Sequence, residues 1–349
     1  MEIEKLCIDS NRTILEAIKQ IDSTGKQILI VVKEKYLVGV ITDGDIRRWI
    51  LKNGDLQETV QLIMNTKPII ISCSEIKLAK KIMEERGINA LPVVDKQNRP
   101  VEIVFLKEFY QKSKKNVKPL DIPVVIMAGG KGTRLYPYTQ IIPKPLIPIG
   151  DTTILERIME RFEQSGCKEF YLTLNYKKNM IKSYLEDSHK SYNIHYIEEE
   201  TFLGTGGSLA LMKDLLKGTF FVSNCDILVQ ANYEDILKVH RESGNKITIV
   251  TSLKNYTIPY GVIKIDEKGQ VWDMDEKPEY NFQVNTGLYV LESEVLEDIP
   301  CNTFFHITEL INDYIQKGIK IGVYPITERA WLDMGELKEM ERMVKELEV

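Results

Sequence analysis

An apolar run, Val124-Val125-Ile126-Met127, leads without interruption into Ala128-Gly129-Gly130-Lys131-Gly132-Thr133-Arg134-Leu135. The run reads as a buried strand, since no polar residue alternates within it. The glycines let the backbone reach positive φ and approach a ligand closely. Successive N–H groups in such a turn form an anion-binding concavity, and Lys131 and Arg134 add charge suited to a polyphosphate. Two other phosphate loops are excluded. Leu135 stands where a dinucleotide fingerprint needs its third glycine, and no Gly-Lys-Ser/Thr ending forms a P-loop. A dehydrogenase or a kinase is set aside on that ground. The stretch continues through Tyr136-Pro137-Tyr138-Thr139 to Pro143-Lys144-Pro145-Leu146-Ile147-Pro148-Ile149-Gly150, which places one lysine between two prolines.

Beyond the loop, helical and strand patterns alternate. Helices are expected over 154–165, 179–185 and 207–216, and strands over 170–174, 194–197 and 220–222. Such alternation predicts an α/β fold with a doubly wound, mostly parallel sheet. Ligands of these sheets bind beyond the carboxyl ends of the strands. The glycine loop falls at one such end and Asp226 at another.

The charged fraction of 28% and net charge of −5 belong to an ordinary globular chain, and argue against a nucleic-acid partner. No apolar run is long enough to span a membrane. No signal peptide is visible, and the five cysteines are odd in number and scattered, so a cytoplasmic location is expected.

The first ~118 residues contain a repeat. Strand, turn and strand at 27–32 and 37–41 recur at 90–94 and 101–105, and matching Val31-Val32 to Val93-Val94 gives a shift of 62 residues (93 − 31). In the first copy Thr42-Asp43-Gly44-Asp45 opens a helix. In the second, Thr42 corresponds to Val104 and Asp45 to Lys107. The polar, basic stretch between Gln111 and Asp121 reads as a linker, dividing the chain into domains 1–118 and 119–349.

The segment 127–150 resembles the signature of the sugar-1-phosphate nucleotidyltransferases, and the resemblance extends from about Pro123 onward. It implies attack by a sugar-phosphate oxygen on the α-phosphorus of a nucleoside triphosphate, with release of pyrophosphate. Residues 128–133 (Ala128, Gly129, Gly130, Lys131, Gly132, Thr133) would bind the nucleotide. Arg134, Lys144, Asp226 and Lys277 would be catalytic, and Asp226 and Asp333 would hold Mg²⁺. Gly261, Glu276, Asn285 and Thr286 match the sugar-binding segments. No nucleophile–base constellation is evident, so direct in-line displacement is expected.

Glu199, Gly204 and Thr205 match the base-reading strand and loop. A carboxylate only accepts, which suits the adjacent N1–H and N2–H₂ donors of guanine, so GTP is favoured over UTP or dTTP. Gly39 to Arg47 resembles the nucleotide signature of CBS domains, with Thr42 on phosphate and Asp45 on ribose; the alternative is that both only cap a helix. CBS pairs commonly dimerise, which implies a homo-oligomer. A CBS pair ahead of the transferase resembles the glucosamine-1-phosphate guanylyltransferases of legionaminic acid synthesis, implying that sugar phosphate. Alternatives are mannose 1-phosphate, a UTP- or dTTP-using transferase, and a non-catalytic nucleotide-sensing subunit.

Overall fold

The structure, a computed structural model, describes residues 3–86, 88–106, 119–187 and 191–347. Lys107 and the expected linker up to Lys118 lie outside the described residues. The chain divides into two compact units, Met1–Val117 and Lys118–Val349.

The first unit holds two three-stranded sheets of the same design. In one the order is Cys7–Asp9, Ile28–Lys33, Tyr36–Thr42; in the other it is Ile71–Ser72, Ala90–Val94, Pro100–Phe105. Each has a parallel pair followed by an antiparallel pair. The ladder slips between Val31 and Val32 in the first and between Val93 and Val94 in the second, so the 62-residue repeat extends to the position of the bulge. Ile28, Ile30 and Val40 of one copy share a core with Val94 and Ile103 of the other. Each open sheet face thereby removes the other's apolar surface from water. The Ile14–Thr24 helix starts at a capping box in which Thr13 and Glu16 satisfy each other's backbone amides.

The second unit is built on a seven-stranded sheet. Its order is Asn193–Glu198, Glu169–Leu174, Val124–Met127, Thr219–Asn224, Glu279–Glu292, Ile247–Thr257, Ile321–Ile326. The strands run parallel except Glu279–Glu292, which is antiparallel to both neighbours. Val124 and Ile126 enter one core, with Ile158 and Phe162 of the Ile154–Gln164 helix. Val125 and Met127 enter a second, with Leu310 and Ile311 of the Ile307–Gln316 helix. Successive side chains of a strand point to opposite faces, so the apolar run that opens the domain is covered on both sides.

One expected element is corrected. The helix over 207–216 is instead a single turn, Gly204–Gly207, followed by a 3₁₀ segment, Ser208–Met212. Backbone of residues 303–306 presses on this turn: a Cβ at Gly207 would lie 2.3 Å from the Thr303 carbonyl oxygen. Only glycine fits there, and glycine is a poor helix former.

Candidate active site

Strand pairing collects the site at one edge of the sheet. Met127 is level with Thr173 and with Asn224, and Leu174 with Glu198. The chain therefore leaves the sheet at Ala128, Asn175, Glu199 and Asp226 along a common rim, at the carboxyl ends of parallel strands.

The glycine loop is held at its edges. The Ala128 amide donates to the Thr173 carbonyl at 3.0 Å. Gly132 sits at φ +64°, and a Cβ there would lie 3.0 Å from Cγ2 of Thr139 and 3.1 Å from Cβ of Lys144. The Thr139 hydroxyl donates to the Gly132 carbonyl at 2.8 Å. Gly130 faces open space, with no heavy atom within 4 Å of its Cβ position, and Lys131, Thr133 and Arg134 are exposed.

Lys144, set in the 3₁₀ turn Lys144–Leu146, is buried, and its ammonium is ion-paired to the Asp226 carboxylate. Asp226 precedes the Ile227–Val229 strand, which forms a two-stranded ribbon with Trp331–Asp333; Ile227 pairs with Asp333, and the Met334 amide donates to the Asp226 carbonyl at 2.7 Å. Burial, and then the negative charge of Asp226, push the Asp333 carboxyl above the usual carboxylate range, against the opposing charges of Lys144 and Arg134. A Cβ at Gly335 would lie 3.1 Å from both Asp333 oxygens and 3.3 Å from Nη1 of Arg134. Four of the expected residues, Arg134, Lys144, Asp226 and Asp333, thus form one electrostatic group. Among the described residues no three acidic, histidine or cysteine side chains converge as a metal cage. Two partly covered carboxylates that share a single buried lysine as counter-charge do fit Mg²⁺, which takes one or two protein carboxylates and completes its shell with water and substrate phosphate.

Glu199 is buried, and its Oε2 accepts the Leu203 amide at 3.0 Å. Its Oε1 lies 2.6 Å from where a Cβ on Gly129 would stand, so the strand-end acid and the loop meet directly. Burial raises this carboxyl's pKa. Glu198 is a solvated strand end, held by Lys178 and Lys182, with its carboxyl lowered to about 2. The Thr205 hydroxyl accepts the Ile307 amide at 3.3 Å, where the Ile307–Gln316 helix begins, and the carbonyl of Gly204 accepts from Ser208 at 3.2 Å. The structure gives both residues a packing role in the turn.

The sugar segments lie partly apart. Gly261 and Glu276 are paired in the Gly261–Ile265/Val271–Glu276 hairpin, and Glu276 Oε2 is 3.1 Å from the Gly261 Cβ position. Glu276 and Lys277 are each 65% exposed, and no hydrogen bond or ion pair joins Lys277 to Asp226 or Asp333 among the described residues. Asn285 donates to the Tyr289 hydroxyl at 2.7 Å and accepts the Gly287 amide at 3.0 Å. Thr286 is 2% exposed, and its hydroxyl donates to the Val250 carbonyl at 2.7 Å, where the ladder slips between Ile249 and Thr251. Sequence reasoning passed over Asn224. Its Nδ2 stands 2.4 Å from the Cβ position of Gly287, whose φ is +88°, so glycine is required where these strands meet the rim. No local pattern marks it, because the contact joins residues far apart in the chain.

In the first unit Thr42 and Asp45 form a closed capping box. The Thr42 hydroxyl donates to Asp45 Oδ2 at 2.6 Å, the Asp45 amide donates to the Thr42 hydroxyl oxygen at 3.4 Å, and Arg48 donates to Asp45 Oδ1 at 2.6 Å.

The chain is 30% identical over 224 residues to mannose-1-phosphate guanyltransferase beta-A of Xenopus laevis, covering 62% of this chain and 61% of that protein. It is 28% identical over 247 residues to the UTP–glucose-1-phosphate uridylyltransferase of Synechocystis sp., covering 63% and 62%. It thus spans less than two thirds of the length of these relatives. Crystal structures of HddC from Yersinia pseudotuberculosis superpose on it, one with a TM-score of 0.52 and 27% identity over 65% of this chain and 99% of that one. Another, complexed with GMP-PN, gives 0.51 and 26%. The CBS domain family matches residues 2–52 and 60–113, and the family described as nucleotidyl transferase matches residues 123–348. That second match spans well over half of the chain, and the protein belongs to the nucleotidyl transferase family.

Proposed function

We propose that the protein transfers a nucleotidyl group from GTP to a sugar 1-phosphate, with glucosamine 1-phosphate as the favoured acceptor, forming a nucleotide sugar and pyrophosphate. The observation that carries the reading is the joining of Lys144, Asp226, Asp333 and Arg134 beside an open glycine loop. An oxygen of the sugar phosphate forms a new bond to the α-phosphorus, and the bond to pyrophosphate breaks. Both reactants are anions, so positioning and charge stabilisation supply the acceleration. The backbone amides of 129–132, with Lys131 and Arg134, would hold the triphosphate and the departing pyrophosphate. Lys144, oriented by Asp226, faces the reacting phosphates. Members of this family generally use divalent metal ions. Asp226 and Asp333 would hold Mg²⁺, which when bound neutralises phosphate charge. Gly261, Glu276, Lys277 and Asn285 would shape the sugar half, with Thr286 fixing the strand that carries Asn285.

GTP is supported by Glu199 at the loop and by relatives whose names include guanylyl transfer. Glucosamine 1-phosphate rests on the pairing of CBS repeats with the transferase, and places the product in surface-glycan synthesis of the legionaminic acid type. Mannose 1-phosphate is the second reading, favoured by the Xenopus relative. Residues 1–118 would be a nucleotide-sensing domain, with Thr42 and Asp45 opening to a ligand, and 119–349 the catalytic one, in a cytoplasmic homo-oligomer. No helix among the described residues is long and apolar enough to cross a membrane.

The test is pyrophosphate release with Mg²⁺, crossing GTP, UTP, dTTP, CTP and ATP with glucosamine, N-acetylglucosamine, glucose and mannose 1-phosphates. Fastest turnover with GTP and glucosamine 1-phosphate is expected. A UTP or dTTP preference overturns the base assignment, and no turnover in any pair leaves the nucleotide-sensing subunit.

A further inference from the structure

We infer that Tyr176 and Lys177 brace the glycine loop from outside and thereby set how tightly the triphosphate is held, an inference that rests on reading 128–133 as the nucleotide loop. The stretch around Gly130 and Lys131 is open and makes no packing contact at the Gly130 Cβ position. Its shape must therefore come from its edges. Tyr176 reaches both of them. Its amide donates to the Gly129 carbonyl at 3.3 Å, where the loop begins. Its hydroxyl donates to the carbonyl of Thr139 at 3.1 Å, past the end of the loop. Thr139 is fully buried and in turn holds the Gly132 carbonyl.

Lys177 secures the same segment from its far side. Its ammonium donates to the carbonyls of Gln140 and, at 2.6 Å, Ile141, the last residues of the helical turn Tyr138–Ile141. A cation on carbonyls at the end of a helical turn is favourable, and a charged donor makes the stronger kind of hydrogen bond. Lys177 adopts φ 51°, a left-handed conformation uncommon for a residue with a side chain. A strained backbone persists where its surroundings hold it, and here the two ammonium bonds do so. A connected path thus runs from Lys177 and Tyr176 through Thr139 to Gly132. Both are positioning residues, acting on the nucleotide through the loop.

The test uses the full chain and four variants: Lys177→Met, Lys177→Arg, Tyr176→Phe, and Lys131→Ala as a control on the loop reading. The KM of each substrate, kcat and the thermal midpoint are read for each. Lys177→Met is expected to raise the KM for the nucleotide about tenfold, with the KM for the sugar phosphate changed by less than about twofold. Lys177→Arg, which keeps the charge, should recover most of the loss. Tyr176→Phe should raise the nucleotide KM about threefold, having lost one neutral hydrogen bond. An unchanged nucleotide KM in Lys177→Met overturns the brace, as does a rise in both KM values that follows the thermal midpoint. If Lys131→Ala alone raises the nucleotide KM, the loop reading stands without the brace. If no variant alters it, or the wild-type protein turns over nothing, both fall.

Discussion

Lys144 and Asp226 are ion-paired with 8% and 14% of their side chains exposed, so water screens the pair poorly. Asp333, next to them on the ribbon, has its carboxyl raised first by burial and then by the charge of Asp226, a shift that Lys144 opposes. The lysine is therefore the counter-charge for two carboxylates.

Lys144→Met should consequently cost about 3 kcal/mol of stability, the usual result of removing one partner of a buried pair. Added Mg²⁺ should raise the variant's unfolding midpoint more than the wild type's, since the ion replaces the missing charge. Activity should fall about a hundredfold or more. Urea unfolding with and without Mg²⁺ measures the first two effects; equal Mg²⁺ responses would mean that Asp226 and Asp333 do not share an ion.

Glu199 offers a separate handle on base choice. Oε2 accepts the Leu203 amide, Thr173 also hydrogen-bonds the carboxylate, and Oε1 stands beside Gly129 on the side of the loop. Replacing it in Glu199→Gln keeps the bond to Leu203 within reach and puts an amide where the carboxylate faced the loop. The expected result is a roughly tenfold fall in kcat/KM for GTP relative to UTP. A constant ratio would confine Glu199 to holding the turn.

Thr286 was expected to touch the sugar, whereas its hydroxyl fills the slip in the ladder by donating to Val250. Thr286→Val keeps the shape and leaves that buried carbonyl unpaired, at a cost of about 1–3 kcal/mol. The KM for the sugar phosphate should hardly move. A large rise in that KM, at unchanged stability, would return Thr286 to the sugar site.

What the sequence made legible is what local chemistry dictates. The apolar run into glycines placed the loop at a strand end, and the repeat at Val31 and Val93 extended even to its bulge. Asp226 and Asp333 converge because two short strands flank them, and the motif around each marked the position. The failures share one cause. The turn at Gly204–Gly207 and the approach of Asn224 to Gly287 both depend on segments that pack from far along the chain. Helix period at 207–216 was overridden by backbone at 303–306, a contact that no window of neighbouring residues contains. The antiparallel direction of Glu279–Glu292 is likewise set by tertiary pairing rather than by its own alternation.

His240 provides a pH test away from the site. It is 1% exposed, with Nδ1 2.8 Å from the Thr248 hydroxyl and Nε2 3.0 Å from Glu292. Asn245 donates to the Thr248 oxygen at 3.1 Å, and a neutral imidazole with its proton on Nε2 fits this network, donating to Glu292 and accepting from the Thr248 hydroxyl at Nδ1. Burial lowers the pKa of His240, while Glu292 opposes the shift and Arg241 adds to it. A lowered value means that the unfolded chain binds the proton first. The stabilisation is therefore complete above about pH 6.5 and is lost as pH falls below it, through the folded-state value. Urea unfolding at pH 7.5 and 5.5 should show a larger loss for the wild type than for His240→Gln, which retains hydrogen-bonding capacity but does not titrate. Equal losses would mean that His240 is protonated to the same extent in the folded and unfolded chains, contrary to the network around it.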